Sequence, residues 1–129
     1  MNEVRDIMVK DASICTFTTS IDNIKKIMTE TGQEEILIVD TLQEGHLLGK
    51  INSNTISRVS AEKSVLPSQL NAEQCMTPVE DVVGQNVSID DCLRLMEEKH
   101  ISRIPVIDEQ GHCMGIVDKN NLGVENASR

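Results

Sequence analysis

Side chains able to do catalysis or hold a metal are sparse in this chain and poorly spaced for either. Its three histidines, His46, His100 and His112, lack an evident nucleophile or orienting group at interpretable spacing. Nucleophilic catalysis depends on that pairing. His112-Cys113 is a lone neighbouring pair, whereas a metal centre needs convergent ligands at recognisable spacing. No CxxC occurs, and the spacings of Cys15, Cys75, Cys92 and Cys113 match no disulfide framework. Nor is there a GxxxxGK[ST] loop to cradle a phosphate. The chain is therefore expected not to be an enzyme and to hold no structural metal. His100 closes a predicted helix, where it is expected to meet terminal carbonyls.

What the chain does contain is a repeat. Shifting the sequence by about 68 positions lays Ser20-Ile21-Asp22 on Ser88-Ile89-Asp90, Met28 on Met96, Ile36 on Ile104 and Asp40 on Asp108. After a deletion in the second copy, Gly45-His46 falls on Gly111-His112, Gly49 on Gly115 and Asn54 on Asn120. A repeat of this length is a supersecondary unit that buries its apolar face against its twin. Function is expected where the copies meet and where they differ.

Each copy reads as the same series of elements. Ile14 to Thr18 is a short strand, and Ser20 is a helix N-cap. Ile21, Ile24, Ile27 and Met28 then make one helical face, with Gly32 as its stop. Ile36-Leu37-Ile38-Val39 reads as a strand buried on both faces. A turn at Glu44-Gly45 leads into a return strand, Leu47 to Ile51, and a helix over Asn52 to Lys63 follows, with Ile56 and Val59 inward.

In the second copy Val82-Val83 is extended, and Ser88 caps a helix with Asp91 at the fourth position, a weaker relative of the capping box. Ile89, Cys92, Leu93 and Met96 form its stripe, where the Cys92 thiol acts as a small hydrophobe. Ile104 to Asp108 is a strand whose Pro105 is tolerable where no ladder N–H is needed. Glu109-Gln110-Gly111 turns into Cys113 to Val117. Met28, Met96 and Met114 are expected as core filler. The fold class is α/β (α+β), with two β-α-β-β-α repeats at 1–62 and 72–129 and a linker at 63–71 containing Pro67.

Composition narrows the function further. With 129 residues, one module of two halves has enough chain for a core. Phe17 is the only aromatic residue, which argues against stacking on single-stranded nucleic acid. A formal net charge of -9 argues the same way, since phosphate backbones select basic surfaces. Ordinary solubility accounts for that charge. No apolar run approaches the ~20 residues of a membrane span, and no signal segment opens the chain. A cytoplasmic protein with no membrane or nucleic-acid partner is expected.

Several of these residues resemble a known family. Met76-Thr77-Pro78, Ser88-Ile89, Leu95-Met96-Glu97, Ile101-Ser102-Arg103-Ile104-Pro105-Val106-Ile107-Asp108 and Gly115-Ile116-Val117 together look like a cystathionine β-synthase (CBS) domain. Arg5-Asp6-Ile7-Met8, Ser20-Ile21, Ile36 to Asp40 and Leu48-Gly49-Lys50-Ile51 look like a second, more degenerate copy. The resemblance implies a tandem pair, or Bateman module, packed with pseudo-two-fold symmetry and leaving two clefts. Such modules commonly dimerise, bind AMP, ATP or S-adenosylmethionine, and regulate a partner enzyme, channel or transporter without catalysing anything.

The resemblance also implies ligand-binding positions: Thr77, Val83, Arg103, Ile104, Pro105, Asp118 and Asn121. In the family a Thr or Ser approaches the phosphate and an Asp takes the ribose hydroxyls. Here Asp118 and Asn121 stand at those two places, so the charge-assisted bond is lost and a carboxylate faces the phosphate. The first copy has Asn52 and Thr55 there. Arg103 stands where relatives place a cation, and Glu35 is its counterpart.

An adenosine-type ligand, with altered phosphate preference, is thus expected in the second cleft. A surface salt bridge of Arg103 with Asp118 or a nearby acid, and a solvated-turn or helix-cap role for Asp118, are the plainer possibilities. The competing function is a ligand-free dimerisation or protein-interaction module. After Val117 the family expects an amphipathic helix, but Gly123 and weak apolar periodicity argue for a short one.

Overall fold

A computed structural model of the chain describes residues 2–10 and 14–120. The chain divides into two compact units, Ser13–Val79 on one side and Met1–Ala12 with Glu80–Arg129 on the other. Each is built around one three-stranded sheet carrying helices, an α+β architecture.

The unit of the first copy contains β1 (Ile14–Thr16), α1 (Ile21–Thr31), β2 (Glu35–Val39), β3 (Leu47–Asn52), α2 (Ser53–Lys63) and a short α3 (Ala72–Cys75). Its sheet order is β1-β2-β3, with β1 parallel and β3 antiparallel to β2. The Ser20 hydroxyl accepts the Asn23 N–H at 3.2 Å, satisfying one orphan donor of α1. Ile21 and Ile24 are fully buried, and Ile27 and Met28 pack beside them. Each fully buried side chain of this size contributes about 1.5–3 kcal/mol. Gly32 ends the helix at φ 71°, its N–H bonded to Met28 O. Ile36 to Val39 are all buried, as a run hidden on both faces requires.

The unit of the second copy contains β4 (Val83–Gly84), α4 (Ile89–Lys99), β5 (Arg103–Ile107) and β6 (Cys113–Asp118), in sheet order β4-β5-β6. The Ser88 hydroxyl accepts the Asp91 N–H at 3.0 Å. Asp91 does not complete a capping box; its carboxylate instead meets Arg94 at 3.3 Å. Cys92 and Met96 are fully buried, but Met114 is not core filler. It is 36% exposed at the turn end of β6, like Leu48 at the equivalent place on β3.

Pro105 is accommodated for a specific reason. The N–H and C=O of Ile116, its ladder partner, are spent on Val9 at 3.0 and 2.7 Å, so this pair exchanges no ladder bonds. The nitrogen of Pro105 therefore turns toward β4, whose register with β5 begins only at Val106. No donor is missed.

Short segments ahead of each copy complete the units, and their membership is crossed. Asn2 to Val9 joins the second copy: Val4 N–H bonds Val87 O at 2.9 Å, and fully buried Val4 enters that core. Leu70 to Thr77 joins the first: Ile21 N–H bonds Leu70 O at 3.0 Å, and Leu70, Ala72 and Cys75 enter its core. Among the described residues no helix is long and apolar enough to cross a membrane.

Candidate functional site

In both copies the antiparallel hairpin places the candidate residues. Its turn is closed by an aspartate and a histidine. Asp40 Oδ1 accepts the N–H groups of Thr41 (2.6 Å) and His46 (2.9 Å), and Oδ2 lies 2.7 Å from His46 Nδ1. Asp108 repeats this with the N–H groups of Gln110 and His112, both at 2.9 Å, and with His112 Nδ1 at 2.7 Å. Desolvation pushes both carboxyls up, but these donors outweigh it and hold Asp40 and Asp108 below the usual carboxylate range.

At the far end of the second hairpin, Arg103 on β5 stands directly opposite Asp118 on β6. Arg103 Nε lies 3.6 Å from Asp118 Oδ2, with the side chains 22% and 24% exposed. That separation is a charge contact, and Nε itself is buried without a hydrogen bond among the described residues. The other Asp118 oxygen accepts the Asn120 N–H at 2.9 Å, the geometry of a cap. Both plainer roles weighed from the sequence are thus present: the salt bridge and the cap.

The first hairpin is built alike and charged differently. Glu35 stands opposite Asn52 and lies 3.8 Å from Lys50. Asn52 caps α2 by accepting the Thr55 N–H at 2.9 Å, while its own N–H reaches Thr55 Oγ1 at 3.1 Å. The Thr55 hydroxyl also donates to Asn52 O at 2.9 Å. The Thr55 side chain is therefore committed to a reciprocal capping box.

The other sequence-predicted residues fall as follows. Val83 on β4 and Ile104 and Pro105 on β5 are buried in the unit that carries Arg103 and Asp118. Thr77 belongs to the other unit, where it exchanges backbone bonds with Lys50, both at 2.9 Å. Its counterpart beside β6 is Val9, a residue sequence reasoning passed over, although the repeat shift that aligns Met8 with Met76 carries it. Asn121 and the segment after it lie outside the described residues. A hollow of about 690 Å³ opens beside β4, lined by residues such as Gln85, Asn86, Asp108 and Gln110; Arg103 and Asp118 are not among its lining.

Burial pushes the thiols of Cys15, Cys75, Cys92 and Cys113 up, so none has the environment of a reactive thiolate. His100 uses its backbone at the end of α4, where its N–H bonds Glu97 O at 3.2 Å with φ at 56°.

Comparison with known proteins places these hairpins. Residues 72–122 match the family model of the CBS domain. The solved structure of CBSX2 in complex with AMP superposes with a TM-score of 0.82 at 20% identity, covering 100% of both chains. The CBS domain pair of MJ0100, in complex with 5′-methylthioadenosine and S-adenosyl-L-methionine, superposes with a TM-score of 0.76 at 24% identity, covering 99% of this chain and 98% of that one. The chain has the fold of a tandem CBS-domain pair.

Among curated relatives, the homoserine O-acetyltransferase of Methanococcoides burtonii is 27% identical over 121 residues. That match takes in 92% of this CBS pair and only 23% of the enzyme. A CBS pair is thus matched to a minor part of a much longer protein.

Proposed function

We propose that this CBS pair is a regulatory module, not a catalyst, that senses an adenosine-containing ligand in the cleft of its second copy and passes the change to a partner protein. The observation that carries the reading is Arg103. It is a mostly buried side chain whose Nε has no hydrogen bond among the described residues, on a strand within the matched CBS domain. A buried donor without a partner is costly, and an acceptor oxygen of a bound adenosine ligand, a ribose hydroxyl among them, supplies one. The ligands of similar CBS pairs, AMP in one and 5′-methylthioadenosine with S-adenosylmethionine in another, support adenosine-containing molecules as the chemical class.

A thermal-shift panel of adenosine, 5′-methylthioadenosine, AMP, ATP and S-adenosylmethionine tests it. Ligand at 100 times its Kd adds ~2.7 kcal/mol, a plain rise in Tm. Flat melting temperatures across the panel would sink the reading.

One observation favours a second reading, a ligand-free module that homodimerises or docks on a partner. Asp118 is already engaged by Arg103 and by the cap, and Thr55 by its capping box. Light scattering that shows a dimer from a chain deaf to every ligand would support that alternative.

A further inference from the structure

We propose that the Arg103–Asp118 pair makes the second cleft select adenosine ligands uncharged at the 5′ end, a thioether rather than a phosphate. The inference rests on the adenosine-ligand reading and concerns which member of that class is taken.

Strand register forces the pair together. Arg103 and Asp118 are direct antiparallel neighbours on β5 and β6, and such neighbours hold their Cβ atoms roughly 4.5–5.5 Å apart. Both side chains are more than three-quarters buried, so neither is free to turn into solvent. The Asn120 N–H holds the second carboxylate oxygen and fixes Asp118 in place.

An arriving phosphate therefore meets a cation and an anion at similar range. Their Coulomb terms oppose, and partial burial strengthens both. Arg103 alone would form the planar fork that suits phosphate, whereas Arg103 beside a fixed carboxylate presents a pair of zero net charge. A neutral 5′ group gives up nothing to this arrangement.

Isothermal titration of 5′-methylthioadenosine and AMP into the full chain and into Asp118→Asn tests the inference. The substitution is nearly isosteric, and Asn52 shows at the matching place that an asparagine caps this turn. The wild-type chain should bind 5′-methylthioadenosine at least about tenfold more tightly than AMP, since the phosphate gives up its hydration with no net positive charge to offset that cost. Asp118→Asn should tighten AMP by about tenfold and shift the thioether by less than about threefold.

A wild-type chain that prefers AMP overturns the inference without needing any variant. An AMP-to-thioether ratio unchanged by Asp118→Asn overturns it too, and leaves the adenosine reading standing. Binding of neither compound to either chain removes both.

Discussion

The two hairpins of this CBS pair share a register and differ in charge. Both carry their irregularity at matching places, between Ile38 and Val39 and between Val106 and Ile107. Both turns close on an Asp–His contact of 2.7 Å, although the histidine follows its aspartate by six residues in the first copy and by four in the second. At the open ends the likeness stops: Glu35 and Lys50 pair in one, Arg103 and Asp118 in the other. Ladder bonds and the buried strand set the scaffold, and loop length hardly touches it. Residues at the open ends stand outside the hydrophobic cores, so their charges can diverge while the fold is kept.

The severest test of scaffold equivalence lies at Gly49 and Gly115. A Cβ at Gly49 would sit 2.7 Å from Thr77 O, and one at Gly115 would sit 2.7 Å from Val9 O. Backbone carbonyls cannot step aside as a flexible side chain can. Gly49→Ala and Gly115→Ala should each cost about 1–3 kcal/mol in urea unfolding, as forced overpacking does. A large loss at one position with none at the other would break the equivalence of the crossed segments.

Helix ends give a smaller effect of opposite sign in the two copies. Gly32 and His100 end α1 and α4 with φ at 71° and 56°. Only the glycine escapes the Cβ penalty of that conformation, about 1–2 kcal/mol. His100→Gly should therefore raise Tm, and Gly32→Ala, with open space around its new Cβ, should lower it. Equal, same-signed shifts would show that the penalty is offset elsewhere.

The smallest effect is in acid. Asp40 and Asp108 have folded pKa values below the unfolded value of about 3.9. Their stabilisation is whole above that value and is lost as pH falls through the lower folded pKa, because the unfolded chain then binds the proton more readily. Asp40→Asn and Asp108→Asn should each flatten the decline of the urea midpoint below about pH 4. Midpoints that fall in parallel with the wild-type chain would assign the acid limb to other groups.

Much of the scaffold was legible because it depends on local rules. Ser20 and Ser88 mark helix starts through N–H groups that any helix leaves unsatisfied. Stripes such as Ile21–Ile24 and Cys92–Met96 show which face is buried, and the Ile36–Val39 run shows a strand hidden on both sides. At the hairpin's open end, Arg103 and Asp118 were legible as candidate positions and their salt bridge as one of the plainer possibilities, while its 3.6 Å distance came from the strand register. Met114 was misplaced because periodicity does not say where a strand end outruns its cover.

Repeat, element types, caps and the exchange of Glu35 for Arg103 between the copies are thus properties of the sequence alone, set by spacing and side-chain chemistry. Tertiary structure alone decided three things. It gave Asn2 to Val9 to the second copy and Leu70 to Thr77 to the first, because backbone bonding at Val87 and Leu70 is long-range and leaves no local trace. It put Val9, and not Thr77, beside β6. And it brought Arg103 within 3.6 Å of Asp118, because antiparallel register makes neighbours of residues that the sequence holds a whole hairpin apart.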